Sequence, residues 1–289
     1  MVTDVPGVRV GHWTNHRART GCTVVLLPEG VTASGEIRGG APATREFALL
    51  DPLRTVPGID AVVLSGGSAF GLASGDGVVR WLEDHGRGFE TSGGRVPIVV
   101  GLGLYDLGVG DASVRPGPKE GRSAAEGARE GSVELGSIGA GCGATVGKWA
   151  GRSHATPGGL VSATFRHGDL IVSALLAVNA VGFVDDGSTL LDPGPPAVAD
   201  PEESTNTTIG IIVTNAIADK LTCNWLAQSG HDGLARSLFP AHTSADGDAL
   251  VAVATGEVEA NRFHLRLLAQ LAVSSAVRSL ATTVPEAPA

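Results

Sequence analysis

Asn206-Thr207-Thr208 stands on an abrupt edge. Before it lies a polar, acidic, hydroxyl-rich run, and after it the β-branched apolar run Ile209-Gly210-Ile211-Ile212-Val213. A threonine hydroxyl is a weak nucleophile until a neighbouring base takes its proton. An N-terminal threonine carries that base itself, because its α-amine has a reference pKa of about 7.7–8.0. Making such a terminus in mid-chain requires cutting the Asn206–Thr207 peptide bond. A polar connector followed by a strand would permit this, the connector letting the Asn206 carbonyl meet the Thr207 hydroxyl while the strand holds the threonine. On these residues alone the plainer reading is an ordinary strand entry.

Other stretches could carry chemistry. His231, Asp232, Arg236, His242, Asp246 and Asp248 crowd one segment. Histidines and carboxylates can ligate a metal, but Asp246-Gly247-Asp248 is too short for a calcium loop and lacks its later Glu. Asp-Gly before a strand is equally a turn. Two carboxylates flanking a glycine could also support a nucleophile or an amine. The run Gly141 to Trp149 resembles a phosphate loop and fails twice, with Cys142 where a glycine is needed and Trp149 after Lys148. Ser65 to Gly71 resembles a nucleophile elbow but has Phe70 in place of the last glycine, so a glycine turn entering a helix, with Ser68 near its N-cap, is the better reading.

The elements around these residues read as a layered α/β or α+β fold. Residues 60–86 give a strand, a glycine turn and a helix with Val78, Val79, Trp81 and Leu82 on its apolar face and Gly86 as its stop. Residues 38–46 read as a loop and 123–134 as a small-residue helix. Residues 159–182 read as a hairpin about His167-Gly168-Asp169, with Val161, Ala163 and Phe165 on one face. Residues 184–206 hold four prolines and six acidic residues and read as an exposed connector. Then come the strand 208–214, a helix over 215–230 carrying Ile217, Leu221, Trp225 and Leu226, a strand from Asp248, and a long C-terminal helix.

Composition narrows the function classes. The chain has 289 residues, 43% apolar and 18% charged, enough for one sizeable core. A net charge of −9 argues against a nucleic-acid surface. Cys22, Cys142 and Cys223 are far apart and odd in number, which suits a reducing cytoplasm and shows no zinc spacing. The N-terminus shows no secretory signal, and no apolar run reaches membrane-spanning length.

Several stretches occur in one order: VRVGHWT, GCTVVLLPEG, RGGAPATRE, LSGGSAFGL, VGLGLYDLG, GATVGKW, LAVNAVG, NTTIGIIVTNA, HDGLAR and HTSADGD. Together they resemble the L-aminopeptidase/D-esterase (DmpA-like) peptidase family, which includes β-peptidyl aminopeptidases and nylon-oligomer endo-hydrolases. The resemblance spans residues 4 to 281. It implies a single domain over 1–289 with an αββα sandwich of the N-terminal-nucleophile type, a fold shared with ornithine acetyltransferases. It also implies self-cleavage into 1–206 and 207–289, with Thr207 as nucleophile and Asn206 as the last residue of the larger fragment. Carried over motif by motif, it makes Asp246, Asp248, Lys148, Asn179 and Tyr105 site residues, with Asn179 as an oxyanion donor. The threonine is closer to the nylon-oligomer branch than to the serine aminopeptidases. The expected activity is hydrolysis of small peptides, amino-acid amides or esters, or ω-amino-acid oligomers, with no cofactor and no metal, by a homo-oligomer (a tetramer by resemblance). An acyltransferase of the ornithine acetyltransferase type and a non-enzymatic metabolite-binding protein are the competing readings.

Overall fold

The computed structural model of the chain describes residues 1–187 and 206–281. Most of the acidic connector therefore lies outside the described residues. Ten strands form two five-stranded sheets. In the first are β1 (Arg9–Asn15), β2 (Thr20–Leu26), β4 (Ala43–Arg45), β5 (Ala61–Ser65) and β6 (Val99–Gly103), ordered β1-β2-β5-β6-β4. The second contains β3 (Thr32–Ile37), β7 (Gly159–His167), β8 (Leu170–Asn179), β9 (Thr207–Ala216) and β10 (Ala249–Val258), ordered β7-β8-β9-β10-β3. Each sheet is antiparallel except for one central pair: β5 runs parallel to β6, and β9 parallel to β10.

Side-chain alternation along the strands makes the layers. Val25, Val62, Leu64, Val100 and Leu102 of the first sheet meet Leu175, Ala177, Ile209, Ile211, Val213, Val251 and Val253 of the second. The intervening positions face helices. Val24, Leu26 and Val63 pack under α1 (Ser74–Asp84) and α2 (Pro118–Glu126) through Val78, Trp81, Leu82, Ala124 and Ala125. Leu176, Val178, Ile212, Leu250 and Ala252 pack under α3 (Lys220–Ala235) and α4 (Arg262–Arg278) through Leu226, Leu234, Leu265, Ala269 and Val273. The result is helix, sheet, sheet, helix. With both faces covered, β8 and β9 are buried along their whole lengths.

Three boundaries differ from the sequence reading. The helix expected over 215–230 starts at Lys220 and continues to Ala235. Asn215 instead completes β9: its Oδ1 accepts from Ile171 N (2.8 Å) and its Nδ2 donates to Asp169 O (2.9 Å). Asp219 caps the helix by accepting from Thr222 N at 2.7 Å. Ile217 thus falls outside α3 and is exposed, as is Leu221. The polar segment around His231 is helical because glycines let the helix approach the sheet: a Cβ at Gly230 would lie 2.4 Å from Ile212 Cδ1. The helix expected at 123–134 runs instead over Pro118–Glu126, entered by a proline in its first turn and a Glu120 carboxylate that accepts from Gly117 N at 2.9 Å. It ends where Arg129 turns aside to pair with Val10 through both backbone bonds. The loop at 38–46 contains the short strand β4. The hairpin about Gly168 is as expected, with Val161, Ala163 and Phe165 facing the helical side.

Candidate active site

Thr207 is the first residue of β9, and β9 is the centre of the second sheet. Alternation puts Thr207 on the same face as Ile209, Ile211 and Val213, so its side chain sits at the end of the layer between the sheets. It is buried (4% exposed), and Asn206 before it is buried as well. Across the sheet its register partner is Asn179, the last residue of β8. Thr208 takes the opposite face. A hydroxyl at a buried strand end is thereby held against its own upstream peptide: Thr207 Oγ1 contacts the Asn206 carbonyl oxygen.

The parallel neighbour β10 delivers the loop 242–248 beside this peptide. Asn206 bridges to Asp246 in parallel register, and Gly247 N–H donates to the Asn206 carbonyl at 2.9 Å. The loop itself is clamped from the other side by the segment after β3. Arg38 N and Gly39 N donate to Asp248 O at 3.0 and 3.2 Å, and Ala41 N donates to Asp246 O at 2.8 Å. This close approach leaves no room for a side chain at residue 247. A Cβ there would lie 2.5 Å from Ala41 O and 2.8 Å from Thr207 Oγ1. Gly247→Ala is therefore expected to cost about 1–3 kcal/mol of stability through overpacking. It should also displace the donor on the Asn206 carbonyl. A lowered thermal midpoint would check the overpacking.

The two aspartates of the loop do different things. Asp248 anchors the backbone behind Thr207. Its Oδ1 accepts from Thr208 N at 2.7 Å, and its Oδ2 accepts from His242 N at 3.2 Å and contacts His242 Nδ1 at 2.8 Å. Asp246 accepts from Val181 N (3.2 Å), Thr243 N (3.0 Å) and Thr243 Oγ1 (2.6 Å). Burial and the nearby Asp248 charge push the Asp246 carboxyl above its usual pKa, against the pull of the Thr243 and Val181 hydrogen bonds.

Lys148 and Asn179 form a second group. Lys148 Nζ donates to Asn179 Oδ1 at 2.9 Å and to Asn179 O at 3.1 Å. Thr145 N donates to the same Oδ1 at 2.9 Å, so the amide orientation is fixed, and Asn179 Nδ2 donates one hydrogen to Tyr105 O at 2.9 Å. The second Nδ2 hydrogen is left for another acceptor. Tyr105 follows β6, so this bond ties the two sheets together at the site's end of the sandwich. Burial lowers the Lys148 pKa from 10.5 to about 7; the Asp246 charge opposes the shift, and Arg152 adds to it. An amine tuned to neutrality can hold or release a proton at physiological pH.

The structure thus gathers Asn206, Thr207, Asn179, Asp246, Asp248 and Lys148 about the head of β9, with Tyr105 joining through its main chain. Residues that the sequence reading did not assign to the site also belong to it: Thr145, Val181 and Thr243, with Gly39 to Ala41 as the clamp. These act mostly through backbone groups, which leave little signal in residue type. The segment weighed for metal binding is used differently. Among the described residues no group of three or more His, Cys, Asp or Glu is placed to hold an ion. Ser68 lies at the start of a short helix with φ of 55° after Gly67, and it makes no capping bond.

The four layers, with a buried hydroxyl residue heading a central strand, form an αββα sandwich of the N-terminal-nucleophile-type fold. The fold agrees with that of an L-aminopeptidase D-Ala-esterase/amidase from Ochrobactrum anthropi, itself described as a new variant of that fold (TM-score 0.74, 19% identity, 99% of this chain and 88% of that one). A Burkholderia sp. beta-aminopeptidase superposes with a TM-score of 0.72 at 23% identity, over 96% of this chain and 84% of that one. The chain belongs to peptidase family S58, whose model matches residues 1–288. It is 41% identical to the uncharacterized aminopeptidase ML1167 of Mycobacterium leprae over 295 residues, covering 90% of this chain and 79% of the relative. It is 32% identical to a 6-aminohexanoate-oligomer endohydrolase of Paenarthrobacter ureafaciens over 289 residues, covering 89% and 75%. The chain is accordingly a hydrolase of amide bonds.

Proposed function

We propose that this hydrolase matures by cutting its own chain between Asn206 and Thr207, and that the freed Thr207 is its nucleophile. The observation that carries this reading is the Asn206 carbonyl. Its oxygen lies against Thr207 Oγ1 and already accepts from Gly247 N–H at 2.9 Å. Attack by Oγ on that carbonyl carbon forms a C–O bond and places negative charge on the oxygen that Gly247 holds. Collapse breaks the C–N bond as the nitrogen takes up the proton that Oγ gave up in the attack, leaving an ester on Thr207 and a free α-amine. Water then hydrolyses the ester, releasing Asn206 as a carboxylate and restoring the hydroxyl.

In the mature enzyme the Thr207 amine takes the Oγ proton as Oγ attacks the substrate amide. Gly247 N–H and the second Nδ2 hydrogen of Asn179 receive the oxyanion. One such donor is worth about 2.7–4 kcal/mol in comparable sites. Asp248 holds the strand behind the nucleophile, and Lys148 fixes Asn179. Asp246 supplies the carboxylate toward the amine side of the site. This suits substrates with a free amino group, either short peptides and amino-acid amides or ω-amino-acid oligomers. Intact-mass spectrometry tests the maturation: wild-type protein should give fragments of about 21 and 8 kDa, by proportion of 29.2 kDa. An active chain that remains whole would overturn it.

Two wider properties follow as proposals. A reducing cytoplasm is supported by Cys22, Cys142 and Cys223, all free and buried, with burial pushing the Cys22 and Cys223 thiols up to about 12. Among the described residues no helix is long and apolar enough to cross a membrane. Homo-oligomer formation is supported by an exposed apolar stripe on α4, where Phe263, Leu267 and Leu271 recur every fourth residue. Leu267→Glu with Leu271→Glu is expected to lower the mass measured by light scattering; an unchanged mass would remove this stripe from the interface.

A further inference from the structure

The geometry points to His242 as a positioning residue for the nucleophile: an imidazolium, charged at neutral pH, that pairs with the Asp248 carboxylate behind Thr207-Thr208. Both side-chain nitrogens of His242 face oxygen atoms. Nδ1 lies 2.8 Å from Asp248 Oδ2, and Nε2 lies 3.1 Å from the His231 carbonyl oxygen. A carbonyl accepts only, so Nε2 must carry a proton. The Asp248 carboxylate already accepts two backbone hydrogens, Thr208 N–H at 2.7 Å on Oδ1 and His242 N–H at 3.2 Å on Oδ2. With a backbone N–H on each of its oxygens the carboxylate is an acceptor toward the ring as well, so Nδ1 carries a proton too. A ring with both nitrogens protonated is a cation.

The surroundings fit this charge. His231, on α3, packs edge-on against His242 with ring centroids 4.9 Å apart. It cannot share the role. Burial lowers its pKa to about 4, and its Nε2 contacts the Glu36 carbonyl at 2.9 Å. A neutral His231 therefore leaves the cation to His242. From the segment after β3, Arg38 opposes a second positive charge nearby, but it is itself paired with Asp232 at 3.0 Å. Although burial disfavours a charged His242, the hydrogen bond and charge of Asp248 and the His231 carbonyl raise its pKa above the ordinary value. His242 also adopts a left-handed backbone, φ 57°, which turns its ring and its own N–H onto the same carboxylate.

This pair divides the two loop aspartates. Asp248 is neutralised by His242 and committed to the backbone of β9. Asp246 has no cationic ring beside it and is held instead by Val181 N–H and by Thr243. The contribution of a raised pKa is fully present below the unfolded value near 6.5 and is lost as pH rises through the folded one. Deprotonation would leave either Asp248 or the His231 carbonyl facing a lone pair. The loop carrying Gly247 would then loosen, so rate should be lost on the alkaline side.

The charge state stands independently of the Thr207 mechanism; the kinetic consequence rests on that mechanism. The test is ¹⁵N NMR of histidine-labelled full-length protein, with His242 assigned through its own side-chain carbons. At pH 7.5 both ring nitrogens should show protonated shifts, and they should do so equally in Thr207→Ala protein. An unprotonated Nδ1 at that pH would overturn the proposal whether or not the chain is cut. His242→Asn, chosen because Asn tolerates the left-handed backbone, supplies the second arm. Its kcat should fall about tenfold or more with KM held within about twofold, and the alkaline limb of the wild-type pH profile should change shape. An identical pH profile in folded His242→Asn would equally overturn it.

Discussion

Replacing Thr207 with alanine is expected to leave a single chain of 29.2 kDa and to reduce amide hydrolysis by about 10⁴-fold or more. Both losses come from one oxygen. Thr207 Oγ1 is the hydroxyl against the Asn206 carbonyl, and Gly247 N–H already sits on the oxygen where charge would develop. Thr208→Ala is the discriminating control. Its hydroxyl projects to the opposite face of β9 and its contribution to the site is a backbone N–H, which alanine keeps. That variant should still be cut. Thr207→Ser should also be cut, because it retains the hydroxyl and loses only a methyl group. Electrophoresis under denaturing conditions and turnover of an amino-acid p-nitroanilide would read all three. Cleavage in Thr207→Ala, or loss of cleavage in Thr208→Ala alone, would move the nucleophile elsewhere.

How far this site could be read before its geometry was known depends on what each residue contributes. Thr207 announced itself because a polar run gives way to β-branched residues at that point, and β9 begins there. The hairpin and the C-terminal helix were legible too: alternation about Gly168 marks the one, and the other, read over residues 259–281, spans Arg262–Arg278. The α3 helix was legible in kind and not in extent. Nothing in the type of Asn215 says that its amide will be spent on Ile171 and Asp169, and Gly230 reads as a break although it is a contact surface for Ile212. The same limit applies to the site. Lys148, Asn179 and the Asp-Gly-Asp turn came from motif order, since spacing alone left a phosphate loop, a metal site and a plain turn in contention. Gly247 N–H, Val181 N–H and the Gly39–Ala41 clamp are main-chain contributions. They arise from strand register and loop path, which are set by pairing between segments as much as two hundred residues apart. His242 was visible as a histidine near two carboxylates. Its function depends on what faces each of its nitrogens, and that is a tertiary fact.

Lys148→Met should cut the rate of chain cleavage by about 10²–10⁴-fold and remove its dependence on pH near neutrality. Two of the ammonium's hydrogens are engaged by Asn179, and burial brings its pKa down to about 7. Above that value the amine is neutral. It can still donate both bonds to Asn179, and its lone pair becomes available to take a proton during attack by Thr207. Wild-type cleavage should therefore accelerate as pH rises through about 7, and the variant should show a flat, slow profile over the same range. Stability should move in the same direction. Between about 7 and 10.5 the unfolded chain binds the proton that folded Lys148 gives up, so folding is favoured progressively as pH rises through this window. Below about 7 both states carry the charge, and the folded one bears the full cost of burying it. A methionine of similar length has no such cost. Lys148→Met should accordingly melt higher than an uncut, Thr207→Ala form of the protein at pH 6, with the gap closing toward pH 10. A gap that stayed constant with pH would show that Lys148 keeps its ordinary charge in the folded protein. The acceleration of cleavage near neutrality would then have to come from another group, and Asp246, whose carboxyl is also raised by burial and by Asp248, is the next to replace.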